Sequence, residues 1–268
     1  MSQPRLKSAS ALLNVMAGAA FKAARGLVRD FNEVEQLQVS QKGPGNFVSA
    51  ADFRSEKIIH QELHKARPDF GFLMEESGEI KGIDTRHRWI VDPLDGTTNF
   101  LHAIPHFCIS IALEFDGEIL AGVIYDPIKD EMFYAEKGRG AFVNDRRIRV
   151  SSRTQLSDCL LVTTRLSHKI DPSQSQSIFD RTKNLSRLTA GLRHYGAAAL
   201  DLCYVAAGRF DGFFAYNLSP WDIAAGIVIV REAGGQIDEL SGQRSLYETG
   251  SLLASNGKIH STLRQELN

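Results

Sequence analysis

The sequence predicts a layered α/β or α+β fold, and three observations lead there. Apolar segments with strand character interleave with segments of helical spacing in both halves of the chain. Asp116-Gly117 separates two of the strand-like segments as a strong hairpin signal, so at least one sheet region is antiparallel. The 268 residues, 43% hydrophobic and 24% charged, are enough for a sizeable core in one large domain or two.

Leu12, Met16, Ala19, Ala23, Leu27 and Phe31 recur at helical spacing straight through Lys22, Arg25 and Arg29. This predicts an amphipathic first helix rather than the signal peptide that Arg5, Lys7 and the following small apolar residues would otherwise suggest. No stretch reads as the roughly 20 apolar residues of a membrane span, so a soluble, cytoplasmic protein is expected. Gln41 to Asn46 is a turn cluster, and Ile58, Ile59 and Leu63 mark a helix from Ala51 to about Ala66. The period then changes, predicting strands at 70–74, 89–91, 108–115, 119–125 and 131–135.

From about Ser151 the composition becomes more polar, and a second subdomain is expected to begin there, dividing the chain into 1–150 and 151–268. Its pattern reads as a strand at 160–164, a polar stretch at 167–177, a helix at 197–207 and a strand at 212–216. A helix at 220–232, short strands and a final helix near Ile259 follow.

Lys and Arg number 31 against 32 Asp and Glu, a net charge of −1. That balance excludes a strongly basic footprint for general nucleic-acid binding, and equally an acidic solvating chain. Cys108, Cys159 and Cys203 are odd in number, lie in apolar surroundings and show no metal-ligand spacing, so buried reduced thiols are expected.

The chemistry-bearing segment is Asp92-Pro93-Leu94-Asp95-Gly96-Thr97-Thr98-Asn99, directly after the strand Trp89-Ile90-Val91. Strand ends are where α/β folds build sites. Two acids three apart across a Pro-Leu turn can aim into one space, the Leu94 carbonyl adds a third oxygen, and hard cations such as Mg²⁺ take oxygen ligands. The backbone N–H groups of Gly96-Thr97-Thr98 suit a phosphate. By itself the block reads equally well as a capped turn. Glu75-Glu76 ends another strand and alone reads as a solvated acidic loop, while Asp222 in Pro220-Trp221-Asp222 alone reads as a helix-dipole partner.

Taken together, Met74-Glu75-Glu76-Ser77, the block from Trp89 to Phe100, Trp221 to Gly226 and Arg231 to Gly235 resemble the inositol monophosphatase family, in order and spacing, over nearly the whole chain. The resemblance implies an αβαβα layered sandwich of the inositol monophosphatase and fructose-1,6-bisphosphatase type, with mixed sheets. It implies Mg²⁺-dependent hydrolysis of a small polyol or sugar phosphate, inhibition by Li⁺ and frequently a homodimer. Carried over, it makes Glu75, Asp92, the Leu94 carbonyl, Asp95 and Asp222 ligands of two or three Mg²⁺ ions, with Asp92 bridging two. Thr97, supported by Asp52, would with Glu75 orient and deprotonate the attacking water, and the N–H groups of Gly96 and Thr97 would hold phosphate. Asp95, Asp222 and Ala198 border the substrate, and Lys42 matches the basic residue of the family's mobile loop.

Carboxylates packed together raise one another's pKa unless a cation offsets their repulsion, and metal-activated water needs no side-chain nucleophile. An aspartyl-phosphate phosphatase would carry Asp-x-Asp at a spacing of two, usually near its N-terminus; here the spacing is three, at position 92.

The chain departs from the family pattern at Ala215, where a Glu commonly contacts sugar hydroxyls, and at Asn46, where an acid is common. Tyr216, Asn217 or Ser219 could replace the missing contact. The chemistry is expected to survive these departures better than the substrate, with inositol 1-phosphate the first expected substrate and fructose 1,6-bisphosphate or a related ester behind it. Arg139, Arg146, Arg147, Arg149 and Arg153 read as a solvated hairpin face, the alternative being a regulatory protein that contacts RNA or protein. His102 and His106, with Pro105 between them, do not read as a zinc pair.

Overall fold

The computed structural model describes residues 6–7, 9–34, 39–43, 46–164, 172–242 and 246–268. Helix α1 (Ala11–Phe31) opens on Ser10, whose hydroxyl accepts from the Leu13 N–H at 3.2 Å. At 21 residues it is long and apolar enough to match a membrane span by length and composition, contrary to the expectation that no stretch would. Its apolar face is packed instead: Met16, Ala20 and Leu27 are buried against Ile59, Leu63 and the large sheet.

Most of the stretch expected as a turn cluster, Gln41 to Asn46, belongs instead to two strands that the sequence did not announce, β1 (Val39–Gly43) and β2 (Asn46–Ser49), paired antiparallel; residues 44–45 lie outside the described residues. Helix α2 (Ala50–Ala66) follows immediately through a reciprocal cap. The Asp52 carboxylate accepts from the Ser49 N–H at 2.8 Å and the Ser49 hydroxyl accepts from the Ala51 N–H at 3.2 Å.

The first large run is β3 (Phe70–Met74), β4 (Gly78–Ile80), β5 (Asp84–Asp95), the short helix α3 (Thr97–Leu101), β6 (Cys108–Phe115), β7 (Glu118–Asp126), β8 (Glu131–Glu136), β9 (Gly140–Val143) and β10 (Arg146–Arg147). These strands form one sheet in the order β10-β9-β8-β7-β6-β5-β3-β4, antiparallel except for the β3/β5 pair. Asp116 (φ 49°) and Gly117 (φ 82°) make the β6/β7 turn, both in the left-handed conformation that matches strand twist.

The second run is β11 (Leu160–Thr163), α4 (Pro172–Leu188), β12 (Gly191–Arg193), α5 (Ala198–Ala206), β13 (Gly212–Ala215), α6 (Pro220–Glu232), β14 (Gln236–Glu239), α7 (Leu246–Thr249), β15 (Leu252–Ser255) and α8 (His260–Leu267). Its sheet runs β12-β11-β13-β15-β14, parallel at β12/β11/β13 and antiparallel beyond. The expected mixed sheets are therefore present.

Side-chain alternation assigns the layers. In β5, Trp89 and Val91 join the core beneath α1 and α2, whereas Ile90 joins the core of α5 and α6 on the opposite face. In the small sheet, Val162, Phe213 and Ala254 face α5 and α6, while Leu161, Phe214 and Leu253 pack with Leu185 of α4 and Leu263 and Leu267 of α8. The order is helix pair, large sheet, helix pair, small sheet, helix pair, which is the expected αβαβα sandwich. The central pair lies close on the large sheet, since a Cβ at Gly122 of β7 would stand 2.7 Å from the Ala225 carbonyl oxygen of α6. All three cysteines are buried free thiols.

Candidate active site

Strand pairing brings the acidic blocks to one edge. β3 and β5 run parallel with Met74 opposite Val91, so Glu75 and Asp92 emerge side by side; the Glu75 N–H donates to the Val91 carbonyl at 3.2 Å. In a regular strand, residues three apart point to opposite faces. Between Asp92 and Asp95 the β5/β6 register slips, with Asp92 opposite Ser110 and Asp95 opposite Cys108. The one extra residue is a bulge, and it returns Asp95 to the face of Asp92. Pro93 sits within it, where no ladder N–H is needed. The Leu94 N–H donates to Asp92 Oδ1 at 2.9 Å, closing the turn.

Asp222 arrives from the other half of the chain at the first turn of α6, whose approach to β6 is marked by the Ser110 hydroxyl donating to the Trp221 carbonyl at 3.3 Å. The Ser219 N–H donates to Asp222 Oδ2 at 2.7 Å. Asp95 Oδ2 accepts from the Ala199 N–H at 2.7 Å and from Cys108 Sγ at 3.7 Å. Thr97 Oγ1 lies 3.1 Å from Asp52 Oδ1 and 3.0 Å from the Leu94 carbonyl oxygen. One hydroxyl proton can serve only one of these acceptors at a time. Glu75, Asp92, Leu94, Asp95, Asp222, Thr97 and Asp52 are thus brought into one neighbourhood.

Gly96 and Thr97 open α3, where Gly96 has φ 93° and an added Cβ would stand 3.0 Å from the His106 carbonyl oxygen. Only glycine makes this turn without strain. Ala198 lies at the start of α5 on the wall of a cleft of about 470 Å³ that Asp95 and Asp222 also line. The backbone of Lys42 is in β1, but its side chain, like that of Asn46, lies outside the described residues.

The electrostatics are those of crowded carboxylates. Burial, then the charges of Glu75, Asp95 and Asp222, push Asp92 well above the usual carboxylate range. Burial raises Asp95 to about 7, with the Ala199 N–H acting against it and Glu75 adding to it. Burial also raises Asp52, against its hydrogen bonds from Ser49 and Thr97. Among the described residues, no three His, Cys, Asp or Glu side chains close into a metal cage. The donor set nevertheless fits a hard divalent cation, because every donor is an oxygen and positive charge would relieve the repulsion around Asp92.

Several supporting residues were not legible in the sequence. Buried Glu56 accepts from the Glu76 N–H at 2.8 Å and from the Ser77 hydroxyl, fixing the turn that carries Glu75. Ser55 donates to the Pro93 carbonyl at 2.8 Å. Asn99 Nδ2 donates to the carbonyls of His106 (2.8 Å) and Tyr195 (2.7 Å), tying α3 to the loop before α5.

The suggested replacements for the missing acid do not line the cleft. Ala215 is fully buried in the core between the sheets, Tyr216 sits edge-on to Phe214 at 6.5 Å between centroids, Asn217 makes a left-handed turn, and Ser219 is the N-cap of α6, its N–H donating to Asp222. Leu218 is the cleft wall there. His102 is exposed while His106 is buried. Arg146, Arg147 and Arg149 are exposed at the β10 edge, and Arg153 pairs with Asp211 at 3.1 Å.

The family profile described as the inositol monophosphatase family matches residues 8–268. The chain is 53% identical over 254 residues, 95% of each chain, to an inositol-1-monophosphatase of Mesorhizobium japonicum. The crystal structure of the extragenic suppressor protein suhB from Bartonella henselae is similar at a TM-score of 0.93 and 55% identity, over 97% of this chain and 99% of that one. Nus factor SuhB of Escherichia coli is 39% identical over 249 residues, 92% of each chain.

Proposed function

The chain belongs to the inositol monophosphatase family, and from that premise we propose that it hydrolyses inositol 1-phosphate, or a similar small polyol or sugar phosphate such as fructose 1,6-bisphosphate, as a Mg²⁺-dependent phosphatase. The observation that carries the reading is the convergence on Asp92 of Glu75, Asp95 and Asp222, from two strand ends and a helix start. These four carboxylates and the Leu94 carbonyl would hold the metal. Bound there, two or three Mg²⁺ ions supply the positive charge that acidifies a water molecule and stabilises both the phosphate and the departing alkoxide.

The chain's own groups then orient and move protons. The Thr97 hydroxyl, donating to Asp52, leaves its lone pairs for the proton of the attacking water. Asp52, raised by burial, is a stronger base than an exposed aspartate and accepts the proton that Thr97 passes on, while Glu75 orients the water. The first N–H groups of α3, from Gly96 onward, hold the phosphate oxygens. Water oxygen bonds to phosphorus as the bond to the alkoxide oxygen breaks, the alkoxide takes a proton from a second water and leaves as the alcohol, and the proton held by Asp52 returns to solvent.

Subdomains at 1–150 and 151–268, a homodimer, a cytoplasmic setting and sensitivity to Li⁺ belong to the same proposal. Its test is phosphate release from inositol 1-phosphate, fructose 1,6-bisphosphate, histidinol phosphate and adenosine bisphosphate, with and without Mg²⁺ and Li⁺. No Mg²⁺-dependent release from any of them would refute it.

A second reading is a regulatory contact with RNA or protein through exposed Arg146, Arg147 and Arg149, supported by the relative named Nus factor SuhB. Phosphate contacts by these arginines require binding that weakens with salt, so absence of salt-dependent RNA binding removes the RNA form of that reading.

A further inference from the structure

We propose that Tyr195 is a specificity-determining residue whose ring packs against the ring of a cyclic leaving alcohol; the assignment rests on the phosphatase reading above. Tyr195 lines the same cleft as Asp95 and Asp222 and is 42% exposed, although its neighbours are aromatic. An aromatic side chain left open beside a cluster of acids has surface available to a ligand.

Tyr195 is held at its backbone and by two ring contacts. Asn99 Nδ2 donates to the Tyr195 carbonyl at 2.7 Å, and its other proton goes to the His106 carbonyl at 2.8 Å. Since Asn99 belongs to α3, Tyr195 is registered to the segment that carries Asp92 and Asp95. The ring stacks on Phe210 at 5.8 Å between centroids with 26° between planes, and tilts against His106 at 5.1 Å. A side chain supported in this way loses little freedom when a ligand covers it.

The chemistry of the cleft selects what the ring would meet. Its acids are Asp95 and Asp222, both assigned to metal, and the position of a hydroxyl-binding acid is taken by Ala215, which is buried in the core. Leu218 supplies an apolar wall. The other polar side chains on its wall, Thr98, Asn99, Thr164 and His194, include no further carboxylate, so recognition of the alcohol combines their polar contacts with the faces that Leu218 and Tyr195 offer. A six-membered polyol ring offers a face of C–H groups to an aromatic ring, whereas an acyclic alcohol offers less area.

The test compares wild type, Tyr195→Ala and Tyr195→Phe on inositol 1-phosphate and on glycerol 2-phosphate, with circular dichroism to verify folding. Tyr195→Ala is expected to lower the ratio of kcat/KM for inositol 1-phosphate to that for glycerol 2-phosphate by about fivefold or more. The loss should fall on KM rather than kcat, and Tyr195→Phe should restore the ratio. An unchanged ratio in a folded Tyr195→Ala variant, or failure of Tyr195→Phe to restore it, overturns the assignment while leaving the phosphatase reading intact. No turnover of either ester by wild type overturns both.

Discussion

Thr97 Oγ1 lies 3.1 Å from Asp52 Oδ1, across 45 residues of sequence, and Asp52 is at the same time the capping acid of α2. One carboxylate thus serves both helix start and candidate proton path, Oδ2 facing Ser49 and Oδ1 facing Thr97.

Thr97→Ala is expected to lower kcat by about 10²- to 10⁴-fold, the usual contribution of positioned proton transfer, while Thr97→Ser keeps most of the rate. Asp52→Asn retains an oxygen for the Ser49 N–H but weakens the base, so it should lower kcat with little change in melting temperature. Steady-state rates with calorimetry separate the two effects; a Thr97→Ala enzyme with wild-type kcat would remove Thr97 from the mechanism.

A pH prediction follows from Asp92 and Asp95. Both are raised in the folded state, Asp95 to about 7, so in metal-free protein their neutral forms favour folding below the unfolded carboxylate pKa near 4. That contribution is lost as pH rises through about 7. Metal-free protein should therefore melt at a lower temperature at pH 8 than at pH 5, and Mg²⁺ should raise the melting temperature more at pH 8. An equal or larger Mg²⁺ effect at pH 5 would contradict this. Asp95→Asn should stabilise the metal-free protein at pH 8 while abolishing turnover.

Gly96→Ala places a side chain at φ 93° and a Cβ 3.0 Å from the His106 carbonyl oxygen. It should destabilise the protein by about 1–3 kcal/mol in urea unfolding and raise KM by displacing the first N–H groups of α3. A variant with wild-type stability would show that the turn is not constrained.

Glu56 fixes the turn after Glu75 through the Glu76 N–H and the Ser77 hydroxyl. Glu56→Gln is expected to raise the Mg²⁺ concentration for half-maximal activity by about 10- to 100-fold, as outer partners of metal ligands do. Mg²⁺ titration of phosphate release would measure it, and an unchanged midpoint would make Glu56 purely structural.

The long elements were legible because α1 carries a helical period, while α6 and β6 are apolar runs bounded by turn and helix-start signals. Helix α4 was not: Ile178 and Leu185 are its buried apolar residues, and Ser and Gln supply much of the rest. Strands β4, β10 and β12, of two or three residues each, are too short for any period. The acidic blocks were legible because each is contiguous in the chain. Their supports were not, because Ala199 reaches Asp95 across 104 residues and Asn99 reaches Tyr195 across 96, which only the packing of the layers decides. The bulge between Asp92 and Asp95 lies between these cases: Pro93 hinted at it, but the register with β6 defines it.

The most direct test of the account is phosphate release from inositol 1-phosphate by wild type and Asp92→Asn, each across a range of Mg²⁺ concentrations. Asp92 is the carboxylate on which the other three converge. Wild type should release phosphate only with Mg²⁺, and a folded Asp92→Asn should be slower by about a thousandfold or more at saturating Mg²⁺. Release by wild type that ignores Mg²⁺, or an Asp92→Asn variant that turns over at the wild-type rate, would contradict a metal-holding carboxylate cluster as the centre of the reaction.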